Sequence, residues 1–293
     1  MPFPVFTEKT PINDGWSGDE KYRVTDENGT PHLLRISPSE RSDVRKIEFG
    51  MMPRLAAMGL PMSVTTHLEI ANGSVSSLSS WIDGRNMRDV IGGFTETQKY
   101  DCGLRAGRIL RQIHSIPAPG TEESWGSRFG RKLDRKIGMY LECSEKYEGG
   151  EHFLRYIDEN RRLIENRPQT FQHGDYHVGN FMIDNNGELV IIDFASCGFG
   201  DPWEEFNRII WSLEASVTFA NGIIDGYFGG EPPLDFWRLL ALYISSNTLS
   251  SLPWGVAYGG DQPDIMKAQA EKLLFWYDNM TTPIPRWRTG GGI

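Results

Sequence analysis

Residues 181–194 read FMIDNNGELVIIDF, two short apolar segments on either side of Asn185-Asn186-Gly187. Asn and Gly accept the positive φ that a tight reversal demands, so this stretch predicts an antiparallel hairpin. A hairpin brings its two open ends together, which places Asn180, just before the first strand, at the same end as Asp193, which closes the second. The preceding loop, HGDYHVGN (173–180), delivers Asp175 to that end as well. It neither alternates in polarity nor repeats apolar residues at i, i+3 and i+4, so it reads as a loop that holds polar groups for use.

The remainder of the chain divides by its hydrophobic period. KYRV (21–24) and HLLRIS (32–37) flank the turn-rich TDENGTP, and VTTHLEI and SVSSLSSWI flank Asn72-Gly73, which predicts two hairpins. Between them, Glu40 to Met58 sets Val44, Ile47, Met51, Leu55 and Met58 on one face of a helix that Gly59 and Pro61 stop. Beyond Asp83-Gly84 the period becomes helical. Thr95 and Gln98 are spaced for a capping box ahead of the stripe Tyr100, Leu104, Gly107, Leu110 and His114. Further helical patterns occupy 131–147, 151–166, 203–220, 234–250 and 264–280. The expected fold class is therefore α+β: an antiparallel β-sheet with one helix over residues 1–82, and a mainly helical unit over 83–293. A hydrophobic content of 39% in 293 residues is ample for a core of that size.

One amide and two carboxylates gathered at a hairpin end form a hard-oxygen set of the kind that holds magnesium while leaving positions for phosphate oxygens. The spacing from Asp175 to Asn180 matches the kinase catalytic loop, and Ile192-Asp193-Phe194 matches its metal-binding step, with Ala195 where glycine is usual. HGDYHVGNFMI followed by IIDFASCGFGDPWEEF resembles the aminoglycoside phosphotransferase and choline kinase group of small-molecule kinases. That group often ends the second motif with Asp-Leu, where this chain has Glu205-Phe206.

The resemblance implies a two-lobed, protein-kinase-like fold and transfer of the γ-phosphoryl group of ATP (or GTP) to a hydroxyl of a small molecule. It implies Asp175 as catalytic residue, accepting the hydroxyl proton or orienting the group, with Asn180 and Asp193 as ligands of Mg2+. NDGWSGDEKYRV resembles the group's phosphate-covering turn, in which Gly15, Ser17 and Gly18 would let backbone N–H groups approach the nucleotide. Where kinases carry a lysine on the third strand, HLLRIS offers Arg35, whose guanidinium can span phosphate oxygens and a carboxylate at once. Its expected carboxylate partner is Glu48, and Lys21 is the second candidate cation. The segment ending in Ser80 and Trp81 falls where the group's hinge binds adenine.

Other classes fit less well. His173 and His177 flank Asp175 in the H-x-D-x-H spacing of a transition-metal hydrolase, but His32, His67, His114 and His152 are scattered and supply no further ligands. A net charge of −9 argues against a nucleic-acid partner. Three cysteines without C-x-x-C spacing indicate neither a disulfide framework nor structural zinc. With no apolar run of about 18 residues and no leader-like N-terminus, the expected location is cytoplasmic, away from membranes. The resemblance implies an acceptor such as an aminoglycoside antibiotic, or a small amino alcohol or sugar. Glu204, Glu205, Glu214, Asp225, Asp261 and Asp264 suit a cationic one. Trp203, Trp211, Trp237, Trp254 and Trp276 read as core, with one or two lining a substrate pocket. The rival from another class is a pseudokinase-like nucleotide-binding regulatory protein, favoured by Arg35 in place of lysine.

Overall fold

The computed structural model describes residues 3–13 and 18–290. Its N-terminal part is an antiparallel sheet of β1 (Phe6–Pro11), β2 (Glu20–Asp26), β3 (Pro31–Pro38), β4 (Thr65–Ala71) and β5 (Ser74–Ser80), in the order β1-β2-β3-β5-β4. Both expected hairpins form. Asn72 and Gly73 take φ values of 51° and 76°, the left-handed pair that matches the twist of adjoining strands. The β2–β3 register sets Lys21 opposite Arg35, and Val24, Leu34 and Leu78 close a small core on the sheet.

Helix α1 (Ser42–Ala57) packs on β4, and its apolar stripe meets the core as expected, but the buried face extends beyond that stripe. Its buried residues are Arg45, Glu48, Met52 and Leu55, while Val44, Ile47 and Met51 are only half-buried. The reason is electrostatic. Arg45 Nη1 lies 2.9 Å from Glu48 Oε2, so two charges one turn apart satisfy each other and can enter the interior together.

The C-terminal part contains β6 (Gly84–Asn86), α2 (Met87–Val90), α3 (Glu96–Ile113), α4 (Trp125–Glu142), α5 (Gly150–Asn160) and β7 (Thr170–Gln172). Then follow β8 (Phe181–Asp184), β9 (Leu189–Ile191), β10 (Gly198–Gly200), α6 (Ile209–Ala215), α7 (Val217–Phe228), α8 (Leu234–Tyr258), α9 (Gln262–Trp276) and α10 (Arg286–Thr289). The Thr95–Gln98 capping box starts α3 as expected. Helices α3 and α7 then meet through glycine: a Cβ on Gly107 would lie 2.0 Å from the Ile223 carbonyl oxygen, so only the bare backbone permits this approach.

Helix α4 begins earlier than its periodicity indicates, where the Ser124 hydroxyl caps Ser127 N. The pattern at 203–220 is broken by Ser216, whose extended backbone (φ −169°) separates α6 from α7 and whose Oγ accepts from Phe219 N. The fold is thus α+β, with one helix beside the N-terminal sheet and a mainly helical remainder. Among the described residues, no helix is long and apolar enough to cross a membrane.

Candidate active site

Strands β8 and β9 pair with Phe181 opposite Ile191, and the Asp184 carboxylate fixes the turn by accepting from Asn186 N (2.9 Å) and Glu188 N (2.8 Å). At the open end, Ile192 N donates to Asn180 O at 3.0 Å, which extends the pairing to the residues that matter. The loop from β7 is tied to this end by His173. Its Nε2 lies 2.9 Å from Ile192 O, and its Nδ1 accepts from Asp175 N at 3.2 Å. Both ring nitrogens are thereby engaged with backbone, which removes His173 as a metal ligand and ends the hydrolase alternative.

Asn180 Nδ2 donates to both Asp175 O (2.8 Å) and Asp175 Oδ2 (3.0 Å). The amide nitrogen thus orients the carboxylate, and the amide oxygen is the atom suited to a cation. Asp175 Oδ1 lies 3.3 Å from Arg208 Nε, and Oδ2 lies 3.4 Å from His177 Nε2. Burial pushes the Asp175 carboxyl up, but the His177 hydrogen bond and the positive charges around it outweigh that and hold it well below the usual carboxylate range.

Asp193 sits at φ 68°, a left-handed conformation that costs a non-glycine residue about 1–3 kcal/mol and is characteristic of functional sites. Its Oδ1 accepts from Arg35 Nη2 at 2.9 Å and from Ala195 N at 3.3 Å. Burial raises the Asp193 carboxyl, yet the Arg35 charge prevails and keeps it ionised. Lys21 adds a second positive field. Arg35 also reaches Asp19 Oδ2 at 3.2 Å, which Arg45 Nη2 shares at 2.7 Å.

The expected Arg35–Glu48 pair is not formed. Glu48 is taken by Arg45 and by the Thr65 hydroxyl (2.7 Å), and Arg35 uses Asp193 and Asp19 in its place. Ser80 has its N–H on Val64 O (2.9 Å) and its carbonyl accepting from Ser63 Oγ (2.8 Å), so both of its backbone groups are engaged by the segment just before β4. Trp81 follows it, with Nε1 donating to Asp83 Oδ1 at 3.0 Å. Gly18 is exposed, directly before Asp19. Gly15 and Ser17 lie outside the described residues.

Several supporting residues escaped the sequence reading. Glu205 Oε1 accepts from Gly174 N at 2.8 Å, which ties the loop 173–180 to the segment before α6. Asp201, fully buried, accepts two hydrogen bonds from Arg167 (2.7 and 3.0 Å) and one from Tyr243 OH (2.6 Å), and so anchors the segment that carries Glu205 and Arg208. Asp19 and Arg45 left a faint signal, the former directly after the Gly-rich turn and the latter three residues before Glu48. Half of the six acids read as suited to a cationic acceptor are instead paired within the chain: Glu204 with Lys132, Glu214 with Lys272 and Asp225 with Arg288.

Among the described residues, no group of three or more His, Cys, Asp and Glu side chains is assembled to hold a metal. The set at the hairpin end is different in kind, with one ionised carboxylate and one amide oxygen. Two hard donors fit a magnesium ion whose other ligands are phosphate oxygens and water.

A family model described as the phosphotransferase enzyme family matches residues 8–237. This chain belongs to that family. It is 26% identical over 220 residues to an aminoglycoside 3'-phosphotransferase of Niallia circulans, covering 71% of this chain and 79% of the relative. Among solved structures it is similar to an amicoumacin kinase complex with AMP-PNP and Ca2+ (TM-score 0.69, 15% identity, covering 94% of this chain and 90% of the other). It also resembles a choline/ethanolamine kinase family protein of Mesorhizobium loti (TM-score 0.66, 18% identity, covering 92% and 89%). A thermostable mutant of an aminoglycoside phosphotransferase superposes with a TM-score of 0.67 at 16% identity, covering 98% and 96%. The chain is thus a small-molecule kinase of the phosphotransferase family, and its α+β architecture is the family's.

Proposed function

We propose that this phosphotransferase moves the γ-phosphoryl group of ATP (or GTP) to a hydroxyl of a small molecule with magnesium bound. The observation that carries the reading is the pairing of Asp175 with Asn180 at the end of the hairpin that presents Asp193 to Arg35. In the reaction a bond forms between the acceptor oxygen and the γ-phosphorus while the γ-phosphorus bond to the departing nucleoside diphosphate breaks, and the hydroxyl proton is lost. Asp175, held strongly ionised, is a weak base. Its task is to accept the hydroxyl's hydrogen bond and aim the oxygen, receiving the proton late, which suits a reaction governed by positioning and charge neutralisation.

Asn180 and Asp193 would hold the metal, which when bound neutralises developing charge on the phosphates. Arg35 would meet the α- and β-phosphates, and Gly15, Ser17 and Gly18 would cover them. Adenine would be read by the backbone following Ser80, at Trp81 and beyond. We place the boundary between the nucleotide lobe and the catalytic lobe at 82/83.

An aminoglycoside acceptor, with the antibiotic resistance it would confer, draws support from the Niallia relative. An amino alcohol or sugar draws it from the wider resemblance. A second reading, a catalytically weak nucleotide-binding regulator, is favoured by Arg35 standing where kinases carry lysine. Incubation with ATP, magnesium and a broad panel of hydroxylated acceptors, followed by mass detection of phosphorylated product, separates the two. Product supports the kinase, and silence across the panel with intact nucleotide binding supports the regulator.

A further inference from the structure

Asp19 directly follows Gly18, at the end of the turn expected to cover the phosphates, and precedes β2. Its side chain is only 1% exposed, and one of its oxygens serves two cations: Oδ2 accepts from Arg35 Nη1 at 3.2 Å and from Arg45 Nη2 at 2.7 Å. Arg45, on α1, is as deeply buried and is held through every side-chain nitrogen, Nη1 by Glu48 Oε2 at 2.9 Å and Nε and Nη2 by Ser37 Oγ at 3.3 and 3.0 Å. Glu48 has its other oxygen on the Thr65 hydroxyl. An ionic chain of alternating sign therefore runs from Asp193 through Arg35, Asp19 and Arg45 to Glu48.

Arg35 and Arg45 share one acceptor atom where little water reaches, so the Asp19 carboxylate offsets their mutual repulsion at closest range. Arg35 has one further carboxylate contact among the described residues, Asp193 at 2.9 Å, which is the proposed metal ligand. Without a charge at Asp19, Arg45 would push Arg35 away and Asp193 would draw it onto the metal position. Losing a negative charge near the phosphates works in the opposite direction. That effect is the smaller one, because Arg45, at the shorter distance, already neutralises Asp19.

We propose that Asp19, backed by Arg45, positions Arg35 for the α- and β-phosphates of the nucleotide, the part expected of Glu48. The inference rests on the phosphotransferase reading above and deepens its nucleotide site. Glu48 does not fill that part, because its two oxygens are taken by Arg45 and Thr65. Asp19 is a positioning residue, acting on the nucleotide through the guanidinium it holds. Since it adjoins Gly18, its bond to Arg45 also fastens the end of the phosphate-covering turn to α1.

The test measures binding of magnesium AMP-PNP and of adenosine to the full chain by calorimetry, with folding of each variant checked by thermal unfolding. Asp19→Asn is expected to weaken AMP-PNP binding about tenfold and to keep adenosine, which has no phosphates, within about twofold. Arg45→Met does the same and Arg45→Lys recovers part of the loss. In an Arg35→Met background Asp19→Asn costs no further affinity, because Asp19 acts through Arg35. Equal losses for AMP-PNP and adenosine would make Asp19 merely structural and overturn the proposal, as would additive losses in the double variant or undiminished AMP-PNP affinity in Asp19→Asn. Should Asp19→Asn fail to fold, undiminished affinity in Arg45→Met overturns it. Undiminished affinity in Arg35→Met would do so while leaving the phosphotransferase reading intact, whereas absence of any AMP-PNP binding by the wild type would remove both.

Discussion

Replacing Lys136 by methionine should stabilise the protein, and by an amount that depends on pH in a defined direction. Burial, with added repulsion from Lys132, Arg208 and Arg135 against the single attraction of Glu204, lowers the Lys136 ammonium from 10.5 to about 7. At about 1.4 kcal/mol per unit, keeping this ammonium charged in the folded state costs up to about 5 kcal/mol. Below pH 7 both folded and unfolded chains carry the proton, so the full cost is present. Between 7 and 10.5 the unfolded chain holds a proton that the folded one has released, so the native protein gains stability as pH rises. Methionine removes the cost and leaves Glu204 paired with Lys132. Urea unfolding at pH 6 should show the variant several kcal/mol more stable, and the advantage should shrink by about 2–3 kcal/mol at pH 9. An advantage that does not change between these pH values, or a variant less stable at pH 6, would refute the argument that Lys136 is a desolvated, unanswered charge.

Two further substitutions probe the frame of the site. Gly174→Ala puts a side chain at φ 87° with its Cβ 1.9 Å from the Ser196 carbonyl oxygen, so a loss of about 2–4 kcal/mol is expected in denaturant unfolding. A neutral alanine would mean that the loop is not held where the structure has it. Arg35→Met removes the cation shared by Asp193 and Asp19, and should weaken magnesium-nucleotide binding by about ten- to a hundredfold in calorimetry, with Arg35→Lys in between. Unchanged binding in the methionine variant would transfer the phosphate role to Lys21.

The features legible in the sequence were those with local causes. Asn185-Asn186-Gly187 announced the β8–β9 hairpin, Thr95 and Gln98 the start of α3, and the spacing of Asp175 and Asn180 their contact at the hairpin's open end, because each depends on backbone conformation or on residues a few positions apart. The breadth of the buried face of α1 was not legible, because Arg45 and Glu48 bury each other's charge and bring in Asp19 and Thr65 from elsewhere in the chain. Glu48 was assigned to Arg35 for the same reason, since only the folded sheet shows that Asp193 and Asp19 reach Arg35 first. The acids expected to attract a cationic acceptor were counted without their partners, and Lys132, Lys272 and Arg288 come from distant segments. Arg208 beside Asp175 was invisible for that reason: the loop 173–180 and the segment before α6 meet only on folding.

The most direct test compares magnesium-nucleotide affinity and the rate of phosphoryl transfer, to acceptor or to water, in the wild type, Asp175→Ala and Asp193→Ala. If Asp175 aims the attacking oxygen and Asp193 holds the metal, Asp175→Ala keeps nucleotide affinity within a few-fold and loses at least about a hundredfold in rate, while Asp193→Ala loses affinity as well. Full turnover in Asp175→Ala, or undiminished magnesium-nucleotide affinity in Asp193→Ala, would contradict the account.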